Sequence, residues 1–176
     1  SNYIHSEGLI NNLGLAIKVA LDFGVPKKII TKTIPKIKFE GRLQYITKGK
    51  LRKFLKPQEK LLIDGCHSMA SGENLYNYLK TLKEPIYGIW GMQKNKLPEK
   101  FIKSFKSIFK KLITIPITQE PNSAKADDLK LLAKKQFPTE SRKDIYAALK
   151  QLSSKEKKTI VVFGSLYLVG DVLSKN

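Results

Sequence analysis

The chain has 176 residues, 41% hydrophobic and 27% charged, with 11 Gly and 8 Pro. That composition excludes disordered, collagen-like and low-complexity chains and suits one domain, or a domain with part of another. Lys and Arg outnumber Asp and Glu by 33 to 15, a formal net charge of +18, which raises polyanions as partners. Only Arg42, Arg52 and Arg142 carry the planar fork that suits base reading, and the remaining cations are lysines at helical spacing. Most of them read as a solvated surface. With no zinc, RNA-recognition or basic-zipper pattern, a dedicated nucleic-acid interface is not expected. A single cysteine, Cys66, no signal peptide and no run of about 20 apolar residues together predict a cytoplasmic protein without a membrane partner.

In chain order, Gly8 to Asp22 has the apolar spacing of a helix, and Gly24-Val25-Pro26 opens a second over Lys27 to Thr33. Two helices bury little, so this pair reads as an orphan that needs another surface. The start at Ser1-Asn2, without methionine, is read as beginning inside a longer polypeptide. Pro35 forbids continuation of the helix, and a domain boundary is expected there, dividing 1–35 from 36–176.

Beyond it, β-rich runs at Leu43 to Thr47, Lys60 to Ile63, Ile86 to Trp90, Lys111 to Ile117 and Thr159 to Phe163 alternate with helical patterns. The helices are expected near Ser71 to Leu82, Pro98 to Phe109, Ala126 to Lys135, Arg142 to Leu152 and Ser165 to Leu173. Strands joined by helical crossovers predict an α/β, Rossmann-like and mainly parallel sheet with helices on both faces.

Ligands of such sheets bind beyond the carboxyl ends of the strands, so residues that directly follow each run are the candidates. Asp64-Gly65-Cys66-His67-Ser68 places a carboxylate at a strand tip and an imidazole three residues on. Asp64 could accept hydrogen bonds from a ribose diol or serve only as a turn residue, and His67 could bind or merely cap. Gly164-Ser165 leads from a buried run into a helix, where backbone N–H groups and a hydroxyl could receive an anion or simply form an N-cap. Gly41-Arg42 supplies a cation before the first strand. Gly49-Lys50 is followed by Leu51 and lacks the earlier glycine of a Walker phosphate loop, and no G-x-S-x-G, H-E-x-x-H or C-x-x-C occurs. Two histidines, His5 and His67, and one cysteine argue against a protein-only zinc site.

Taken in order, Gly41-Arg42-Leu43-Gln44, Leu62-Ile63-Asp64-Gly65-Cys66-His67-Ser68 and Gly164-Ser165-Leu166-Tyr167-Leu168-Val169-Gly170 resemble the C-terminal domain of folylpolyglutamate synthase and of the bifunctional dihydrofolate synthase/folylpolyglutamate synthase, within the Mur ligase superfamily. Asn12-Leu13-Gly14-Leu15-Ala16-Ile17 is similar to a helix near the end of that family's central ATPase domain. The resemblance implies that residues 1–35 are the tail of a missing central domain, and that the Walker loop and magnesium ligands lie on the missing part. It also implies an ATP-dependent ligase that makes an acyl phosphate and joins glutamate to folate or dihydropteroate, with ATP and Mg2+ in the full-length enzyme, none bound by the chain alone, and the chain alone inactive. Arg42 and Asp64 would contact the nucleotide, with Asn12 near the adenine, while His67 and Ser165 would position glutamate or the acyl intermediate. Another Mur-type ligase, acting on a cell-wall precursor, and a basic nucleic-acid module are the alternatives. Departures from the family pattern fall at Ser68, Met69, Phe163, Asn95, Leu97 and Ser123, and Lys48 to Pro57 reads as an inserted cationic excursion.

Overall fold

A computed structural model describes residues 7–176; Ser1, Asn2 and His5 lie outside the described residues. The chain forms two compact units, 1–40 and 41–176. In the first, α1 (Glu7–Asp22) and α2 (Lys27–Thr33) are joined through Gly24, whose φ of +75° is the left-handed conformation that glycine adopts freely. Pro35 does not simply stop the chain. It opens a 3-10 turn over Ile34–Lys36, where its missing N–H costs nothing. Neither helix contains a fully buried residue, and Ile10, Leu15, Val19, Phe23 and Ile29 remain exposed.

The second unit is built on β1 (Gln44–Tyr45), β2 (Glu59–Asp64), β3 (Ile86–Trp90), β4 (Phe109–Thr114), β5 (Thr139–Ser141) and β6 (Lys158–Phe163). They form one sheet in the order β1-β2-β6-β3-β4-β5, antiparallel at β1 and parallel elsewhere. Its helices are α3 (Met69–Leu79), α4 (Pro98–Lys103), α5 (Ala126–Ala133), α6 (Ile145–Leu152) and α7 (Leu166–Ser174). Strand alternation sends Leu61, Ile63, Ile89, Ile113, Ile160 and Val162 into a core with α6 and α7. The opposite face carries Trp90 and Phe163 against Phe101, Phe105 and Phe109, with Phe105 and Phe163 centroids 4.7 Å apart. The helices therefore cover both faces, as a mainly parallel sheet requires.

Three local expectations change. The helix expected over Pro98 to Phe109 ends at Lys103, because Lys106 adopts φ +47° and Phe109 already pairs in β4. β5 is a short edge strand that sequence reading missed. The stretch Lys48 to Pro57 is not a loose excursion: Leu51–Phe54 is a 3-10 turn, and Leu51 and Leu55 enter the core.

At the amino ends of β2 and β6, Glu59 and Lys158 form a buried ion pair at 3.6 Å. Glu59 also accepts hydrogen bonds from Lys56 N–H, Ser153 Oγ and Ser154 N–H, and the Lys158 ammonium donates to Leu152 O and Ser154 Oγ. A buried charge is tolerable on those terms, with its hydrogen-bonding capacity filled. This leaves the carboxyl edge of the sheet as the end where polar loops gather.

Candidate functional site

β2 and β6 are neighbours in register, with Asp64 opposite Phe163, so the loops that follow them emerge side by side. Gly65 packs directly on the start of α7: a Cβ there would fall 2.3 Å from the Leu166 side chain. The turn carrying Arg42 is tied to the same place. Gly65 N–H donates to Gly41 O at 2.7 Å, and Leu43 N–H donates to Asp64 Oδ2 at 2.9 Å. Gly41 takes φ +72°, and Gln44 Oε1 accepts its N–H. Three segments far apart in sequence thus meet beyond two adjacent strands.

Asp64 is buried, with 6% exposure, and its other oxygen accepts Cys66 N–H at 2.8 Å. Burial pushes its carboxyl above the usual carboxylate range, against the lowering pull of Leu43 N–H, the Arg42 charge and Cys66 N–H. Asp64 therefore closes its own turn and fixes the neighbouring one. Arg42 is half-buried and, among the described residues, its guanidinium makes no hydrogen bond and no close ion pair; its charge reaches Asp64 only through space. The Cys66 thiol is buried, and burial with the adjacent Asp64 charge raises its pKa well above normal, so it is an inert packing residue.

His67 precedes α3, whose N-cap Ser68 and Ser71 form a reciprocal capping box. The His67 ring lies half-buried with Nδ1 3.0 Å from Gly65 O. A carbonyl can only accept, so Nδ1 carries a proton, and Nε2 is the ring nitrogen left for a ligand. Ser165 is the N-cap of α7, its Oγ accepting Tyr167 N–H at 3.1 Å, and it is 1% exposed. Gly164 before it has φ +115°, and a Cβ there would lie 2.5 Å from Gly91 O and 2.6 Å from the Trp90 indole. Only glycine fits between β3 and β6 at that point.

Arg42, Asp64, His67 and Ser165 come together at this edge. Asn12 lies exposed on α1 in the other unit. Ser123 is a structural residue: its Oγ accepts Ile117 N–H at 2.8 Å and donates to Ala124 O. Sequence reading missed a groove of about 640 Å³ between Thr118–Glu120 and the outer side of α7, lined by Leu166, Tyr167 and Asp171. Its available signal was that Leu166 and Tyr167 lie off the apolar stripe of α7, where they are 45% and 60% exposed.

Residues 47–175 match the family model described as dihydrofolate synthetase, C-terminal domain. The chain belongs to that family. Its fold is similar to Mycobacterium tuberculosis folylpolyglutamate synthase complexed with ADP and AMPPCP, with a TM-score of 0.78 and 18% identity over 97% of this chain and 40% of that one. Thermotoga maritima folylpolyglutamate synthase matches with a TM-score of 0.72 and 28% identity, over 96% of this chain and 38% of that one. The Yersinia pestis bifunctional folylpolyglutamate synthase/dihydrofolate synthase, complexed with AMPPNP and Mn ion, matches with a TM-score of 0.69 and 18% identity, over 85% of this chain and 34% of that one. The chain therefore spans about 40% or less of the length of these structures. No curated protein sequence matches it.

Proposed function

We propose that this chain is the C-terminal part of an ATP-dependent ligase that joins glutamate to a folate or to dihydropteroate. The observation that carries the reading is the meeting of the Arg42 turn, the His67 loop and the α7 N-terminus beyond β2 and β6, in a member of the dihydrofolate synthetase C-terminal family. In the proposed reaction the substrate carboxylate takes the γ-phosphoryl group of ATP, and the glutamate amine displaces phosphate from the acyl phosphate to leave an amide.

Arg42 is assigned to the nucleotide, because an uncommitted guanidinium is what a phosphate or ribose oxygen can engage through a planar fork. For Asp64 we favour a positioning role over direct ribose contact: both its oxygens already accept backbone N–H groups, and the turn they hold is the one that presents Arg42. His67 Nε2 and the α7 N-terminus capped by Ser165 are assigned to the incoming glutamate, whose carboxylates suit the positive end of a helix. Among the described residues no three His, Cys, Asp or Glu side chains gather as a metal site. By the family resemblance, the Walker loop and the Mg2+ ligands are assigned to polypeptide outside these 176 residues, with residues 1–35 as the tail of that ATPase domain and Asn12 near the adenine. The chain by itself is then inactive.

The test is ATP-dependent incorporation of labelled glutamate by the full-length polypeptide that contains this chain, offered folate and dihydropteroate separately. Arg42→Lys should lower kcat/KM for ATP by about 10- to 150-fold, the equivalent of one charge-assisted hydrogen bond of roughly 1.5–3 kcal/mol, with thermal stability unchanged. Absence of incorporation into either acceptor, or wild-type ATP kinetics in Arg42→Lys, would overturn the reading.

A further inference from the structure

The turn that presents Arg42 carries a backbone conformation that its residue types do not favour. Leu43 has φ +43°, in the left-handed region where the Cβ of an L-residue crowds the following carbonyl. Glycine takes that region freely, whereas a leucine stays there only when its surroundings over-determine it. Among the described residues Leu97, Lys106 and Gln119 are also non-glycine with positive φ, but each is exposed, and Leu43 is 8% exposed.

The surroundings that hold Leu43 are identifiable. Its side chain is buried, its N–H is captured by Asp64 Oδ2 at 2.9 Å, and the next residue, Gln44, pairs with Ile63 in the sheet. On the other side of Arg42, Gly41 is seated on α7, where a Cβ would fall 2.5 Å from Val169 Cγ1, and its carbonyl accepts Gly65 N–H. Arg42 thus stands between two left-handed residues, both anchored, while its own guanidinium makes no hydrogen bond among the described residues. With Gln44 fixed in β1, a relaxed negative φ at residue 43 would swing the Arg42 peptide around and withdraw Leu43 N–H from Asp64.

We propose that Leu43 is a positioning residue for Arg42: its buried side chain and captured N–H hold residue 43 left-handed, and that conformation aims the Arg42 Cα–Cβ bond at the nucleotide. This rests on the assignment of Arg42 to the nucleotide. It adds that the left-handed geometry is itself required, beyond the packing at that position. An arginine aimed beforehand loses less freedom when it engages an oxygen, which offsets the unfavourable backbone.

Alanine and glycine at residue 43 separate geometry from packing. Both delete the buried side chain, and only glycine takes a positive φ without penalty. Packing alone ranks glycine below alanine, because glycine has more freedom to lose on folding; a left-handed requirement reverses that order. In circular dichroism melting of the 176-residue chain, both variants should fall below wild type, with Leu43→Gly about 2–4 °C above Leu43→Ala. In the full-length polypeptide at saturating glutamate and acceptor, Leu43→Ala should lower kcat/KM for ATP about five- to thirtyfold, the population factor of a left-handed residue no longer held by packing. Leu43→Gly should return to within about threefold of wild type, and KM for glutamate should stay unchanged in both. Arg42→Lys is measured beside them. Wild-type ATP kinetics in Arg42→Lys would overturn the nucleotide assignment and the role of Leu43 with it. Impaired ATP kinetics in Arg42→Lys, with Leu43→Gly equal to or below Leu43→Ala in melting temperature or in kcat/KM for ATP, would overturn the role of Leu43 alone.

Discussion

Asp64 is the residue on which the candidate site hangs, and alanine and asparagine at that position test its role in complementary ways. Alanine removes the acceptor for two buried donors, Leu43 N–H and Cys66 N–H. At roughly 1–3 kcal/mol for each buried group left unsatisfied, the loss is about 2–6 kcal/mol. In a domain of this size that lowers Tm by about 5–20 °C. Asparagine keeps one acceptor oxygen and should cost about half as much. The two variants also differ in titration. Burial raises the Asp64 carboxyl above the ordinary value of 3.8 in the folded protein, so the native state holds the proton more tightly than the unfolded chain does. Its contribution is then fully present below pH 3.8 and is lost as pH rises through the folded value. Asparagine does not titrate, so its deficit against wild type should be largest near pH 4 and should shrink toward pH 7. Thermal unfolding measures the first effect, and urea unfolding of wild type and both variants across pH 4–7 measures the second. A Tm for Asp64→Ala within 2 °C of wild type, on the order of 1 kcal/mol or less, would refute the claim that this carboxylate pins the Arg42 turn. A deficit for Asp64→Asn that grows with pH would show that the N–H donors and Arg42 outweigh burial.

Two further outcomes follow from the packing. Gly164→Ala meets both a positive φ and a clash with Gly91 O and Trp90, and should cost about 2–4 kcal/mol in urea unfolding, as strain and overpacking together. Lys158→Met leaves Glu59 buried without its cation, and a loss of about 3–5 kcal/mol is expected; the double replacement Glu59→Gln/Lys158→Met should recover part of that loss.

Where structure follows local pattern, the residues themselves were informative. Lys27–Thr33 and Ile86–Trp90 form the elements their sequences indicate, at the limits their sequences indicate, because capping, proline placement and apolar runs act over a few neighbours. Apolar spacing also has its ambiguity: Phe101, Phe105 and Phe109 recur at four-residue intervals, which reads as one helix. In the fold they converge on Phe163 from α4, the turn after it and β4. β5 has three residues and one neighbouring strand, too little pattern to announce itself.

The site divides in the same manner. That Asp64 ends a strand and Ser165 begins a helix was legible, since both are local facts. That they stand side by side was not, because it depends on the last strand, β6, inserting between β2 and β3 in the middle of the sheet. The use of Asp64 to hold Leu43, twenty-one residues away, is a tertiary event as well. Likewise the lysines read as a solvated face in sequence, and for most of them the structure keeps them there. Lys80 and Lys106 become a pair over Tyr76 only because α3 and the turn before β4 pack on the same face of the sheet. Sequence patterns fix what a few adjacent residues do, whereas strand order and helix packing are settled by burial across the whole chain, and that burial decides which distant side chains share a site.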